Sequence, residues 1–321
     1  MYPPLRIGTR GSQLALWQAR SVATRLEAAG TAAELVIIRT SGDRLQDAPL
    51  SEVGGKRLFV KEIEDALLGR EIDLAVHSAK DMPAVLADGL AIAATLPRDD
   101  PRDALVLPTG ASSGGVSAVL AQLGNTPRVG TSSVRRSAQL GPLIRGAVFA
   151  PVRGNVDTRL RKLDQGGYDV LVLASAGLRR LGLGERISAS IPTHDCIPAP
   201  GQGIVAIEIR SDDTKARDSV RAVHDATAAT ALEAERAVVE ALGGGCQLPL
   251  GAFAVIREAT LELQAIVCLP DGSRAVRARA AGPATAATTL GTRVADELAS
   301  EGAVAILNAA RNAQGPVEGS Y

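Results

Sequence analysis

Short apolar runs rich in β-branched residues alternate with longer helical patterns from the start of the chain. The run Leu5 to Thr9 precedes a helical pattern over Leu14 to Ala28, and the run Leu35 to Thr40 precedes another over Phe59 to Leu68. A further apolar run, Asp73 to His77, comes next. This order is typical of an α/β fold, in which each helix carries the chain across to the next strand.

Ser12 directly precedes the first helical pattern. Its hydroxyl can accept a hydrogen bond from a free amide in the first turn of a helix, so we expect Ser12 to be the N-cap. The apolar spacing predicts that this helix buries Leu14, Ala15, Ala19 and Val22.

Two irregular segments rich in proline interrupt the alternation. Pro97 to Pro101 brackets charged residues with prolines, and Pro198 to Gly203 combines prolines with glycines. Such clusters disfavour regular structure, so both segments are predicted to be crossovers between domains. The strands predicted between them are Arg128 to Thr131, Ala147 to Val152 and Val170 to Ala174, with helices beginning near Ser133, Asn155 and Ala176.

The apolar run Ile204 to Ile209 is predicted to return to the first sheet, which makes the first domain discontinuous. The predicted domains are an α/β domain over residues 1–97 and 202–221, a second α/β domain over residues 102–197, and a small α+β domain over residues 222–321. In the last domain the predicted elements are a helix over Ala228 to Leu242, strands over Ala252 to Ile256, Leu261 to Val267 and Ala275 to Ala280, and a helix over Ala284 to Ser300.

Charge and cysteine content restrict the possible partners. The 35 lysines and arginines equal the 35 aspartates and glutamates, so no net field attracts polyanions at long range. No unbroken apolar stretch approaches the roughly 18 residues of a membrane-spanning helix, and we expect a cytoplasmic protein without a membrane partner. The three cysteines form no CxxC pair and the three histidines are scattered, so neither a disulfide framework nor a metal site is expected.

Arginines are concentrated at the predicted turns from strand to helix. Ligands of open α/β sheets bind at the carboxyl ends of strands, and guanidinium groups donate paired hydrogen bonds to carboxylates and phosphates. The sequence therefore predicts a cleft for a ligand with several anionic groups. The alternative is that each arginine is solvated or pairs with a neighbouring acid such as Asp157 or Asp164. The arginines at these turns are Arg10, Arg135, Arg136, Arg153, Arg159 and Arg180.

The segment His77 to Pro83 ends an apolar strand with a lysine, an aspartate and a proline. The carboxylate of Asp81 could stabilise a cation that develops during a reaction. The alternative is that Asp81 and Lys80 form an ordinary surface pair, and that His77 is a core residue.

Cys246 lies in a loop directly after three glycines. A buried cysteine does not need such backbone freedom, so the loop indicates an accessible nucleophile or attachment point. Cys196 and Cys268 have no such surroundings and are expected to be buried and inert. No glycine segment matches a P-loop and no GxGxxG follows a strand, so nucleotide binding has no support.

Long motifs, taken in their order along the chain, add a family resemblance. Among them are Arg6 to Ser12, Asp73 to Pro83 and Val129 to Arg136. Together they resemble the porphobilinogen deaminases, also called hydroxymethylbilane synthases, over nearly the whole chain. The other matching segments are Leu14 to Gln18, Arg98 to Ala104, Arg153 to Val156, Pro198 to Gly203 and the Cys246 loop.

This resemblance implies a transferase of tetrapyrrole biosynthesis. Its first two domains would look like a periplasmic-binding-protein pair, and its third would carry Cys246, joined by a thioether to a dipyrromethane primer. Four porphobilinogen units would be added head to tail with loss of ammonia, and water would release linear hydroxymethylbilane. Asp81 matches the catalytic aspartate of the family, and Lys80 and Arg10 would act with it.

The resemblance also implies two sets of binding residues, whose division between primer and substrate carboxylates stays open. The cofactor-binding residues would be Cys246, Asp81, Lys80, Ser78, Ser132, Arg135 and Arg136. The substrate-binding residues would be Arg10, Ser12, Lys56, Arg153, Arg159, Arg180 and Gln202. One departure is Arg57, since relatives often carry glycine there; Phe59 either stacks on a pyrrole or anchors the following helix.

Two other classes of protein compete with this interpretation. A non-catalytic binding protein for a small polycarboxylate would use the same cleft and arginines, but it gives no reason for a cysteine in a glycine loop. A nucleic-acid binder would use arginines on phosphates, but zero net charge and 2% aromatic residues weigh against it. The family resemblance favours a monomer.

Overall fold

The computed structural model describes residues 3–40, 60–243 and 248–313. Within these residues the strands form two five-stranded sheets and one three-stranded sheet. Numbered along the chain, the strands are β1 (Leu5–Thr9), β2 (Ala33–Ile37), β3 (Leu74–Ser78), β4 (Leu90–Thr95), β5 (Asp103–Val106), β6 (Arg128–Gly130), β7 (Val148–Ala150), β8 (Val170–Ala174), β9 (Ala189–Ser190), β10 (Val205–Arg210), β11 (Leu250–Arg257), β12 (Thr260–Cys268) and β13 (Ala275–Pro283).

Helices connect and cover these sheets. In the part of the chain that the structure describes, none of them combines the length and apolar character that crossing a membrane requires. The helices are α1 (Gln13–Ala28), α2 (Lys61–Leu68), α3 (Val116–Leu120), α4 (Val134–Leu140), α5 (Val156–Asp164), α6 (Ser175–Arg180), α7 (Thr214–Val220), α8 (Ala226–Ala241), α9 (Ala287–Ser300) and α10 (Ala303–Ala313).

The first sheet is built from two distant parts of the chain. β1 pairs parallel with β2 and β3, whereas β10 runs antiparallel between β3 and β4. β10 is buried along its whole length, as expected for a strand with a neighbour on each side. The prediction that the segment after the second crossover returns to the first sheet is confirmed.

The apolar face of α1 covers this sheet. Ala19 and Val22 are fully buried, as the spacing predicts. Leu14 and Ala15 are only half-buried, so that part of the prediction is wrong. The reason is that the first turn of α1 faces the second domain, where Leu14 lies beside Gly177 of α6.

The second sheet has the same mixed character. β6 pairs parallel with β7 and β8, and β5 runs antiparallel between β8 and β9. Its core contains Leu105, Val129, Leu140 and Val172. The predicted strands at β6, β7 and β8 are confirmed, whereas β5 and the two-residue β9 are additions.

The third sheet is an antiparallel meander in the order β11-β12-β13. One of its faces packs against α8, α9 and α10 through Val238, Leu263, Leu290 and Leu307. This confirms the predicted fold class of two α/β domains followed by a small α+β domain. The exact domain boundaries stay predictions.

One buried carboxylate joins the third domain to both crossovers. Glu235 of α8 accepts hydrogen bonds from the two terminal nitrogens of Arg98, in the first crossover, at 2.6 and 3.1 Å. The same carboxylate accepts a hydrogen bond at 2.6 Å from the amide of Gly201, which lies in the second crossover. It accepts another at 2.7 Å from the amide of Ala254. The third domain is therefore bonded to both crossovers between the two α/β domains.

Candidate active site

Lys80 and Asp81 lie in a single turn of 3-10 helix, Ala79–Asp81, directly after β3. The turn is anchored because the amide of Ala79 donates to the carbonyl of Ile204 at 3.0 Å and the Ala79 side chain is buried. The side chains of Lys80 and Asp81 are half-buried. A ligand in the cleft can therefore reach both of them.

The carboxyl ends of β1 and β3 place further predicted residues at the same edge of the first sheet. Ser78 accepts a hydrogen bond at 2.7 Å from Nε2 of the buried Gln18. Ser12 is the N-cap of α1, as predicted, and its Oγ accepts from the Ala15 amide at 3.3 Å. Arg10 follows β1 and is half-buried.

Three arginines of the second domain influence one another's charge. Burial lowers the pKa of Arg159 to about 10, with further lowering by the charges of Arg136 and Arg153, while the carboxylate of Asp81 acts in the opposite direction. Nε of Arg159 donates to the carbonyl of Gly154 at 2.8 Å, which fixes the guanidinium at the start of α5. Because Asp81 belongs to the first domain, the acid and the cations face one cleft from opposite sides.

Arg135 and Arg136, at the start of α4, both pair with Asp103. Nη2 of Arg135 lies 2.8 Å from Oδ2 of Asp103, and Nη2 of Arg136 lies 2.8 Å from Oδ1. Nε2 of Gln202 donates to the same carboxylate at 3.0 Å, and Oε1 of Gln202 accepts from Nζ of Lys80 at 3.4 Å. Polar contacts thus run from the second sheet to the turn that carries Asp81.

Arg180 lies where the two α/β domains and the crossovers meet. Its Nη2 donates to the carbonyl of Gly203 at 2.6 Å, and its Nε lies 3.7 Å from Oδ2 of Asp99. Its guanidinium carbon lies 5.6 Å from the centre of the Trp17 ring in α1. Burial lowers the pKa of Arg180, and the charge of Asp99 opposes that effect.

Ser132 joins the ends of β6 and β7. Its Oγ donates to the carbonyl of Val152 at 2.9 Å and accepts from the Val152 amide at 3.1 Å. Lys56 and Cys246, together with Arg57 and Phe59, lie outside the described residues. The functions predicted for these four positions stay predictions.

The other two cysteines differ from a reactive thiol. Burial raises the pKa of Cys196 to about 12 and that of Cys268 to about 11, so both thiols stay protonated at neutral pH. His77 is a buried residue whose Nε2 lies 3.1 Å from Oε2 of Glu208, as expected for a core histidine. Among the residues that the structure describes, no cluster of histidine, cysteine, aspartate and glutamate could hold a metal ion.

This geometry, a carboxylate facing several arginines in a cleft, agrees with comparisons to known proteins. Residues 5–218 match the family model described as porphobilinogen deaminase, dipyromethane cofactor binding domain, and residues 229–300 match the model of the porphobilinogen deaminase C-terminal domain. The chain belongs to the porphobilinogen deaminase family. The two models together extend over both α/β domains and most of the third.

Individual porphobilinogen deaminases match over nearly their whole length. The chain is 46% identical over 305 residues to the porphobilinogen deaminase of Syntrophobacter fumaroxidans, covering 94% of this chain and 96% of the relative. It is 46% identical over 307 residues to that of Syntrophotalea carbinolica, covering 95% of each. Among solved structures, the methionine binding protein MetQ aligns with a TM-score of 0.43 and 14% identity, covering 68% of this chain and 89% of that one.

Asp103, which pairs with Arg135 and Arg136 in this porphobilinogen deaminase, was not predicted from the sequence as their partner. The acids named there as arginine partners were Asp157 and Asp164, but Asp164 lies 2.8 Å from Arg186 instead. The signal that could have indicated Asp103 is a charged residue that begins a fully buried strand. Its partners are distant in sequence, so adjacency could not reveal them.

Proposed function

We propose that this chain is an active porphobilinogen deaminase. It joins four porphobilinogen units head to tail on a covalently held dipyrromethane primer, releasing ammonia and, after hydrolysis, linear hydroxymethylbilane. The observation that carries this proposal is the half-buried carboxylate of Asp81 opposite the arginines of the second domain. Porphobilinogen has two carboxylates and becomes a cation when it loses ammonia, so it needs both kinds of group.

The charges of the site fit a dipyrromethane with several carboxylates. Arg136 and Arg153 repel the charge on Arg159, and this repulsion contributes to its lowered pKa. An anionic ligand relieves that repulsion, so binding is favourable. We assign Arg136, Ser78 and Lys80 to the primer carboxylates, whereas the hydroxyl proton of Ser132 is directed to the carbonyl of Val152. When bound, the dipyrromethane supplies the nucleophilic pyrrole carbon.

The thioether is assigned to Cys246, which lies outside the described residues. The loop that contains it connects α8, which ends at Ala241, to β11, which begins at Leu250. Burial and a raised pKa make Cys196 and Cys268 unsuitable as nucleophiles. The three glycines that precede Cys246 in the sequence give the backbone freedom that an attachment point requires.

Asp81 stabilises the cation that forms on the substrate. As the C–N bond of the aminomethyl group breaks, its electron pair leaves with nitrogen and the pyrrole becomes an azafulvenium ion. The Asp81 carboxylate accepts hydrogen bonds from pyrrole N–H groups and opposes the developing positive charge. Lys80 and Arg10, at the same edge of the first sheet, hold carboxylates of the reacting pyrroles, with Arg153, Arg159 and Arg180 on the other side.

The proposal is tested by the intact mass of the purified protein beside two cysteine variants. The parent is expected to carry an excess equal to two porphobilinogen units minus two ammonia molecules. Cys246→Ser should lack this excess, whereas Cys268→Ala, at a buried control site, should retain it. A parent without adduct that also releases no ammonia when porphobilinogen is added would contradict the proposed function.

A monomeric state, a cytoplasmic location and the absence of nucleic-acid and membrane partners belong to the same proposal. They derive from the family resemblance and from the balanced charge of the chain. Size-exclusion chromatography with light scattering measures the oligomeric state directly, and the mass of a dimer would overturn the proposed monomer.

A further inference from the structure

Asp103 is a fully buried carboxylate shared by side chains from two segments, α4 and the second crossover. Oδ1 accepts from Nε of Arg136 at 2.9 Å and from Nε2 of Gln202 at 3.0 Å, and Oδ2 accepts from Nη2 of Arg135 at 2.8 Å. Burial alone would raise the pKa of Asp103, but the charges of the two arginines hold it well below its ordinary value. The carboxylate is therefore ionised, and it acts as a counter-ion for both arginines.

The donors of Arg135 are directed to atoms of the protein. Besides Asp103, its guanidinium donates from Nη1 to the carbonyl of Ile197 at 2.7 Å and to Sγ of Cys196 at 3.3 Å. Both acceptors lie just before the second crossover, and Arg135 is only 5% exposed. Through these bonds Arg135 connects α4 to the start of the second crossover, which is a structural role.

Arg136, the next residue, is buried to nearly the same degree, at 7% exposed, but it has different partners. Its Nη1 donates to the carbonyl of Val172 in β8 at 3.0 Å, and its Nε donates to Asp103. Its charge contributes to the lowered pKa of Arg159, which places it at the cationic side of the cleft. Asp103 therefore fixes the direction of a guanidinium that belongs to the site.

Gln202 extends the influence of Asp103 to the opposite side of the cleft. Its Nε2 donates to Asp103 and, at 2.6 Å, to the carbonyl of Pro101, so the amide oxygen is turned the other way. That oxygen accepts from Nζ of Lys80 at 3.4 Å. The orientation of Gln202, set by Asp103, thus determines which atom Lys80 meets.

We propose that Asp103 is a positioning residue of the active site, which directs Arg136 toward the cleft and, through Gln202, holds Lys80 beside Asp81. Arg135 is the structural partner that keeps the Asp103 carboxylate in place, and it is not a ligand for primer or substrate carboxylates. Asp103 itself does not touch the substrate, because it is fully buried. The inference rests on the proposed deaminase function, which gives Arg136 and Lys80 their roles.

The first test compares Arg135→Lys with Arg136→Lys. Each variant keeps the positive charge and loses the guanidinium fork. In Arg135→Lys the ammonium can still pair with Asp103, so this variant should lower the unfolding midpoint while primer load and kcat fall less than in Arg136→Lys. Arg136→Lys should lower primer load or kcat at least about tenfold, as expected for loss of one charge-assisted bond. Equal losses in the two variants would overturn the division between the arginines.

The second test uses Asp103→Asn and Gln202→Met, assayed well below their unfolding midpoints so that loss of stability does not reduce the folded fraction. Gln202→Met breaks the connection to Lys80 and leaves both arginine pairs of Asp103 in place. Each variant should lower kcat at least about tenfold, and the double variant should lose less than the product of the two, because both act on Lys80. Fully multiplicative losses would contradict action through Gln202.

Asp103→Asn leaves two buried arginines without their counter-ion and can prevent folding. In that case Gln202→Met decides the outcome alone: kcat within about threefold of the parent overturns the positioning role. Failure of the proposed function is recognised separately, because it appears in the parent, which would then carry no primer and release no ammonia.

Discussion

Replacing Glu235 by glutamine should destabilise the junction of the three domains. The glutamine oxygen can still accept hydrogen bonds, but its amide group would face a donor, and Arg98 would lose its charged partner. Breaking a buried pair by removing one charge costs about 3 to 5 kcal/mol. Arg98 retains its bonds to the carbonyls of Gln202 at 2.9 Å and Ala254 at 3.2 Å, so we expect the lower end, about 3 kcal/mol.

Urea titration of Glu235→Gln beside Glu262→Gln measures this effect. Glu262 pairs with Arg257 at 3.3 Å in the same domain, but the two side chains are 49% and 71% exposed. An exposed pair contributes less than about 1 kcal/mol, so the free energy of unfolding should change little in this control. Equal free energies of unfolding for the two variants would refute the assignment of the junction to Glu235.

Three further predictions concern the site and its supports. Asp81→Asn should lower kcat by roughly 10²-fold to 10³-fold in steady-state assays at saturating porphobilinogen, with little change in the unfolding midpoint because the side chain is half-buried. Gly201→Ala should lower both stability and kcat. Gly201 has a φ of 74°, and an added Cβ would lie 2.9 Å from Cβ of Ala79, at the start of the turn that carries Asp81. An unchanged unfolding curve would contradict this prediction. Burial raises the pKa values of the Cys196 and Cys268 thiols to about 12 and about 11. Both thiols should therefore resist iodoacetamide at pH 8 in the native protein and react in urea, which peptide mapping by mass spectrometry would show. Labelling of either residue in the native protein would contradict their burial.

The sequence predicts the strands whose apolar runs are long and rich in β-branched residues. β1 and β8 begin and end at the predicted residues, Leu5–Thr9 and Val170–Ala174. β4 was missed because Leu90–Thr95 is rich in alanine, which has a low strand propensity. β5 was missed because it has only four residues and directly follows the proline cluster.

The candidate site was predicted at the level of residue types and strand ends. Arginines after strands indicated a cleft for a ligand with several anionic groups, and the structure brings Arg136, Arg153 and Asp81 within electrostatic reach of Arg159. The pairing of Arg135 and Arg136 with Asp103 was not predictable, because partners 32 and 33 residues apart meet only when the second sheet forms. Neighbouring acids in the sequence were a poor guide to neighbours in space.

The position of β10 determines when the first domain can fold during synthesis. β3 and β4 are each hydrogen-bonded to β10, so the first sheet cannot be completed until Arg210 has left the ribosome. The second sheet, by contrast, is formed by one continuous stretch from Asp103 to Ser190. Domains generally fold as units in the order of their synthesis. In this chain the second α/β domain can be complete while β3 and β4 still lack their shared neighbour β10. We therefore expect the second α/β domain to fold before the first during synthesis.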